Sequence, residues 1–183
     1  MSLLNFSNNR PLTDSLSPLP VFILRLWLAQ EFIHAGWVKV SDGLNAPELF
    51  AGLDFPFPVS LLPADLNWAV AGFGELILGV ALLLGIFSRL SAAGLMFIIW
   101  VAVYSVHFDL GWHGWNQIDT ESGYGFKVPL MMVIMLLPVL VNGSGNWSAD
   151  NYLKHLSSSL WLSVLTGMKS EKAGSGKTLD YHS

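Results

Sequence analysis

Residues 67–104, NWAVAGFGELILGVALLLGIFSRLSAAGLMFIIWVAVY, leave this chain few ways to fold. Two apolar runs, each of about twenty residues and so long enough to cross a hydrocarbon core, are separated only by a short turn at 85–88. The pattern predicts a transmembrane helical hairpin. Two charges interrupt it. Glu75 lies inside the first helix, and Arg89 stands at the turn, where its stem can follow apolar surface while the guanidinium reaches the headgroups.

Composition supports the same class. Of the 183 residues 52% are apolar and only 12% charged, about half the charge of an ordinary soluble domain, so an integral membrane protein of one domain is expected. The absence of Cys excludes a thiolate nucleophile, thiolate-held zinc and a Cys-ligated iron–sulfur cluster within this chain. A redox role therefore needs a bound cofactor or a partner. No basic cluster is interleaved with aromatics, so nothing suggests nucleic-acid binding. The opening MSLLNFSNNRPLTDSLSP lacks the basic-then-apolar layout of a removable signal, and the first span is expected to act as an uncleaved insertion signal.

Pro18 and Pro20 introduce that span, PVFILRLWLAQEFIHAGWVKV, which carries Arg25, Gln30, Glu31, His34 and Lys39. Charges near a bilayer centre are costly and should face the bundle interior, pair, or snorkel from the ends. At about 100° per residue, Gln30, Glu31 and His34 fall on one side, with Arg25 and Lys39 on the other near the two ends. The first set is expected to be the interior polar face. Residues 41–63, acidic and broken by four prolines, predict a long structured loop with a short interfacial helix near 46–51. Gly72, Gly74, Gly79 and Gly85 offer small surfaces for close helix approach.

The third helix ends with Tyr104, His107 and Asp109 and enters GWHGWNQIDTESGYGFK, a second long loop holding His113. A short fourth span is predicted at 126–141, with Pro129 and Pro138 inside it. Apolar residues recur at helical spacing in 152–168, predicting an amphipathic helix on the membrane surface, and the tail from 169 to 183 has a disordered composition. The domains expected are a polar segment at 1–19, a four-helix transmembrane domain at 20–142, an interfacial helix at 143–168 and the tail. With four spans, Arg10, Arg89, Lys154, Lys169, Lys172 and Lys177 share one side, which the positive-inside rule makes cytoplasmic. Both termini are then inside, and the two long acidic, aromatic loops are outside.

Two constellations could carry chemistry. Glu31, His34 and Glu75, with Gln30 and Tyr104 beside them, offer a polar pocket for a quinone headgroup or a proton path, since ionisable groups within membrane helices are functional candidates. Glu31-x-x-His34 has the spacing that bundles use for iron or manganese, but no second copy of the motif appears. The competing structural reading pairs Glu31 and Glu75 with His34, Arg25 or Arg89 to orient the bundle. On the outer rim, His107, Asp109 and His113 could ligate copper or zinc if they converge; otherwise the loop is solvated and its tryptophans anchor the interface. Arg25, Lys39 and Arg89 either snorkel and fix topology or bind an anionic group.

The first helix, with Arg25, Phe32, Gly36 and Lys39 in order, resembles the DoxX pattern. The hairpin, with Glu75, Gly79, Gly85, Arg89 and Ala92, is similar to that family's most recognisable segment. The resemblance covers roughly 20–142 and implies a four-helix, multi-pass protein of bacterial inner membranes. It also implies association with quinone-linked oxidoreductases, or with redox, detoxifying or copper-response systems. Gln30 and Glu31 stand where many members have small or apolar residues, and the aromatic loop is longer than the pattern requires.

The expectation is therefore an all-α, four-helix transmembrane bundle in the lipid bilayer, with a C-terminal amphipathic helix. It would act as a non-autonomous subunit that binds a quinone-like carrier, or docks a protein partner at its extracytoplasmic loops. A copper- or zinc-handling or transport-associated membrane module and a ligand-free scaffold are the alternatives, and homo-oligomerisation is compatible with each.

Overall fold

The hairpin at 67–104 is present, and its turn is as tight as the sequence implies. The computed structural model describes residues 19–143. Its elements are α1 (Leu19–Ser41), α2 (Glu48–Ala51), a 3-10 turn (Val59–Leu61), α3 (Ala64–Leu84) and α4 (Ser88–Val106). A second 3-10 turn (Gly111–Asn116), β1 (Asp119–Thr120), β2 (Gly123–Tyr124) and α5 (Lys127–Asn142) follow. The polar segment up to residue 18, the C-terminal amphipathic helix and the tail at 169–183 lie outside the described residues.

Gly85 ends α3 in the left-handed conformation, φ 71° and ψ 38°. The Ile86 N–H then reaches the Ala81 carbonyl at 2.9 Å and the Gly85 N–H reaches Leu82 at 3.2 Å. This crossed pair closes the helix end and reverses the chain. Both α3 and α4 are long and apolar enough to cross a membrane; α5 is apolar but shorter.

Each long helix packs against two others. α1 lies on α3 and α5, and α4 lies on α3 and α5, which closes a ring around Leu28, Phe32, Leu82, Leu95, Ile99, Leu136 and Val139. The most extensive contact is between α1 and α3. Glycine makes it close: a Cβ at Gly36 would stand 2.6 Å from the Leu76 nitrogen and 2.7 Å from the Gly72 oxygen, so nothing larger fits without moving backbone.

That contact reverses the expected interior face of α1. The helix buries Arg25, Leu28, Ala29, Phe32 and Gly36, whereas Gln30, Glu31 and His34 are exposed on the outer side. The division of the helix into two polar sides holds; the inward side is the one with the glycine, because small residues let backbones close and gain packing. Arg25 is 1% exposed and donates from Nε to the Leu82 carbonyl at 3.0 Å and from Nη2 to Leu83 at 3.1 Å. These are last-turn carbonyls of α3, at the negative end of the helix dipole, where oxygens have acceptor capacity to spare. Arg89 repeats the device on α5, donating from Nη2 to the Val141 carbonyl. Both arginines hold helix ends together at the side of the bundle where the 85–88 turn lies.

Candidate functional site

Toward the opposite end of the bundle, Glu75, near the middle of α3, occupies the face between Gly72 and Gly79 that is turned toward α1. Lys39, one turn from the end of α1, meets it with Nζ 2.7 Å from Oε2. The side chains are only 23% and 10% exposed, so the pair is largely removed from solvent. Lys39 Nζ also lies 6.0 Å from the Trp68 ring centroid, within cation–π reach.

Three side chains in the first turns of α3 tether the 42–63 loop over this end. Asp65 Oδ1 accepts the Ala46 N–H at 2.8 Å. The amide of buried Asn67 donates to the Val59 carbonyl at 3.2 Å. Trp68 Nε1 donates to Gly43 at 3.1 Å. Phe50 then packs edge-on against Trp68 at 5.0 Å and against Phe55 at 5.1 Å between ring centroids. A proline-broken segment thereby becomes an ordered cover, with α2 falling inside the 46–51 stretch where a short helix is expected.

Beneath the cover is a cavity of about 700 Å³ between α3, α4 and the loop. Its walls are apolar, with Val59, Leu62, Ala71, Ile98, Val101 and Ala102 prominent, and its polar groups stand at two places. Lys39, Glu75 and Asn67 form one. Ser105 and His107, at the end of α4, form the other. Ser105 Oγ and His107 Nδ1 are both buried and have no hydrogen-bond partner, an arrangement that costs stability unless something else supplies the bond. Exposed Val70 on α3 and Phe97 on α4 also line the cavity, as do exposed Leu61 and Leu62 of the cover, so it is open to the surface both between the helices and at the loop. Burial holds the His107 pKa below the ordinary histidine value; the Gly125 carbonyl and the Asp109 carboxylate oppose that effect. The neutral imidazole is favoured, leaving one ring nitrogen to accept and the other to donate.

Of the residues singled out from sequence, the structure brings Glu75, Lys39 and His107 to this cavity. Gln30, Glu31 and His34 lie on the far side of α1, and exposed Tyr104 is not among the lining residues. The partner of Glu75 is Lys39, not His34, Arg25 or Arg89. The convergence that a copper or zinc site at His107, Asp109 and His113 requires is not found: among the described residues no three His, Asp or Glu side chains are grouped to hold a metal ion. The intervening chain folds into a 3-10 turn and a β-hairpin that draw the three apart in role. His113 sits exposed on the turn, Asp109 Oδ2 accepts the Tyr124 N–H at 3.2 Å, and His107 turns to the cavity. Sequence reading missed Ser105, Asn67 and Trp68. The first has no signal within an apolar helix; the other two lie just after Pro63 at a helix start, where side chains commonly bind preceding backbone.

The family model described as DoxX matches residues 21–108, which contain the α1–α3 contact, the cover and both cavity walls. A Haemophilus influenzae protein described as uncharacterized is 39% identical over 152 residues, covering 81% of this chain and 93% of that protein. No solved structure matches.

Proposed function

The chain belongs to the DoxX family of membrane proteins, and on that premise we propose that it is a multi-pass subunit of the bacterial inner membrane that holds a quinone-like, lipid-soluble carrier for a redox or stress-response partner. The observation that carries this reading is the cavity: an apolar volume of about 700 Å³ with two unpartnered polar atoms, Ser105 Oγ and His107 Nδ1, at its wall. Ligand sites commonly combine apolar walls with a few convergent polar groups. A quinone ring fits the volume class, and its carbonyl oxygens can accept from Ser105 or from Lys39, while His107 Nδ1, with the ring proton on Nε2 beside the Gly125 carbonyl, can accept from a hydroxyl of the reduced carrier. The lateral opening between α3 and α4 suits a ligand that arrives from lipid.

In this reading the four long helices are a transmembrane bundle. The 85–88 turn and both termini are cytoplasmic, by the basic residues gathered there. The 42–63 cover and the aromatic 107–126 loop face outward, where a partner enzyme docks. The chain has no cysteine for a Cys-ligated cluster, and in this reading electrons pass to or from the bound carrier through that partner.

The test is quinone extraction from protein purified in mild detergent, together with titration of a short-chain quinone followed by quenching of tryptophan fluorescence. Trp68 at the cavity wall supplies the signal. Wild type is expected to carry or saturably bind the quinone, and A102F, which fills the cavity, to lose it. Unchanged binding by A102F would remove the cavity from the reading. An empty wild type that still retains a partner protein would leave a scaffold in its place.

A further inference from the structure

We propose that α1 pairs with α1 of a second copy of this chain through the stripe formed by Ile23, Trp27, Gln30, Glu31, His34 and Trp37. These positions recur every three or four residues and so form one continuous helix face, and each of them is exposed. The opposite face of α1 is occupied by α3 and α5. The stripe is apolar or aromatic toward its ends and polar at its centre, midway between Leu19 and Ser41. Among the described residues Gln30, Glu31 and His34 have no hydrogen-bond or ion-pair partner. Lipid supplies neither donor nor acceptor at that depth, and from mid-helix these side chains are too short to snorkel to an interface. A face of this kind needs a polar partner inside the membrane.

A second copy fits because the face is complementary to itself. All copies insert in one direction, so a two-fold axis relating them lies along the membrane normal and the two α1 helices run parallel. Gln30 then meets Gln30 of the second copy, and its amide both donates and accepts. Glu31 of each copy lies three residues, about 4.5 Å along the axis, from His34 of the other. The two-fold forms that acid–imidazole pair twice. Acceptors and donors are matched without a third component, and the flanking Trp27 and Trp37 contribute apolar area on either side. The inference rests on the reading that α1 spans the bilayer, and is independent of what the cavity binds.

The chain has no cysteine, so single-cysteine variants of the full-length protein report without background. W27C, Q30C and H34C, with L28C and A29C as inward controls, are oxidised in native membranes with copper phenanthroline. Disulfide-linked dimers are expected at 27, 30 and 34, at least about fivefold above the controls. The same variants are exposed in intact vesicles to a membrane-impermeant maleimide, with N45C in the loop as the reactive reference. Labelling of Q30C and H34C as fast as N45C shows that α1 is not in the bilayer, which overturns the topology. Protection without cross-linking leaves the topology standing and overturns the dimer, because another segment or protein then covers the face. Charge exchange tests the pairing itself. E31A should weaken self-association in detergent about tenfold, a scale consistent with two interhelical hydrogen bonds in a membrane, and E31H/H34E should restore it. Failure of the exchanged variant to recover, with its fold intact by tryptophan fluorescence, overturns the proposed Glu31–His34 contact.

Discussion

Lys39 Nζ stands 2.7 Å from Glu75 Oε2 across the contact between α1 and α3, beside the point where Gly36 and Gly72 bring the two backbones together. A pair so placed is expensive to break from one side, because the remaining charge is left largely shielded from water. Removing one partner of a buried pair costs about 3–5 kcal/mol, whereas replacing both with apolar groups of similar volume is often neutral. K39M and E75L are each expected to lower thermal stability in detergent sharply, and K39M/E75L to recover most of it. A double variant whose loss equals the sum of the singles would mean that the two charges do not depend on one another.

The same contact predicts an asymmetry between two glycines. An added Cβ at Gly36 would stand 2.6 Å from backbone nitrogen, and backbone cannot yield without moving a helix. At Gly94 it would stand 2.7 Å from Leu78 Cδ1, the tip of a flexible side chain. Overpacking costs typically about 1–3 kcal/mol and more when backbone must shift. G36A is expected at or above the top of that range and G94A near the bottom, read from denaturation of the two purified variants beside wild type.

Much of this was legible in the sequence. The hairpin, its Gly85 turn, the short helix in the 42–63 loop and α5 lie where apolar length and proline placement put them. The two sides of α1 were also separable, since a 100° step fixes which residues share a face. What periodicity does not fix is which side turns inward. Polar content suggested Gln30, Glu31 and His34; the decisive property was the small size of Gly36, with Gly72 opposite it and Gly79 against Ile33 and Phe32. Ser105 and the tethering residues Asp65, Asn67 and Trp68 acquire their roles only from chain segments brought back by the fold, so no local pattern announces them.

Arg25 and Arg89 hold the other end of the bundle, and they should differ in how they tolerate lysine. Arg25 spans two α3 carbonyls from a fully buried position, a geometry that needs the planar fork and that a single ammonium does not reproduce. Arg89 is only half-buried and is bonded to one α5 carbonyl. R25K is expected to cost about 1–2 kcal/mol, the value of a hydrogen bond left unmade in a buried site, and R89K less than about 1 kcal/mol. Equal losses at the two sites, measured by thermal melts, would contradict the assignment.

His107 gives a pH dependence whose sign is fixed. Burial lowers its pKa from the ordinary value of 6.5, against the Gly125 carbonyl and Asp109. Above that value both folded and unfolded chains carry a neutral imidazole, and the group contributes no pH dependence. As pH falls through 6.5 the unfolded chain gains a proton that the folded chain resists, so stability declines until pH passes below the folded pKa. Stability of wild type is therefore expected to fall on acidification through this window, and H107N to show a flatter profile there. An unchanged slope in H107N would assign the effect to other groups.

Ser105 separates function from stability. A buried hydroxyl without a partner costs the protein free energy, so its retention in an otherwise apolar wall needs a return elsewhere. If that return is a bond to a ligand carbonyl, S105A should leave the melting temperature unchanged or raise it while weakening short-chain quinone binding about five- to tenfold, the value of a single neutral hydrogen bond. Stabilised sites that lose function are the usual signature of a residue kept for binding. Fluorescence titration and thermal melts on one preparation read both quantities. Loss of stability together with unchanged binding would make Ser105 a packing residue and leave His107 and Lys39 as the polar contacts of the cavity.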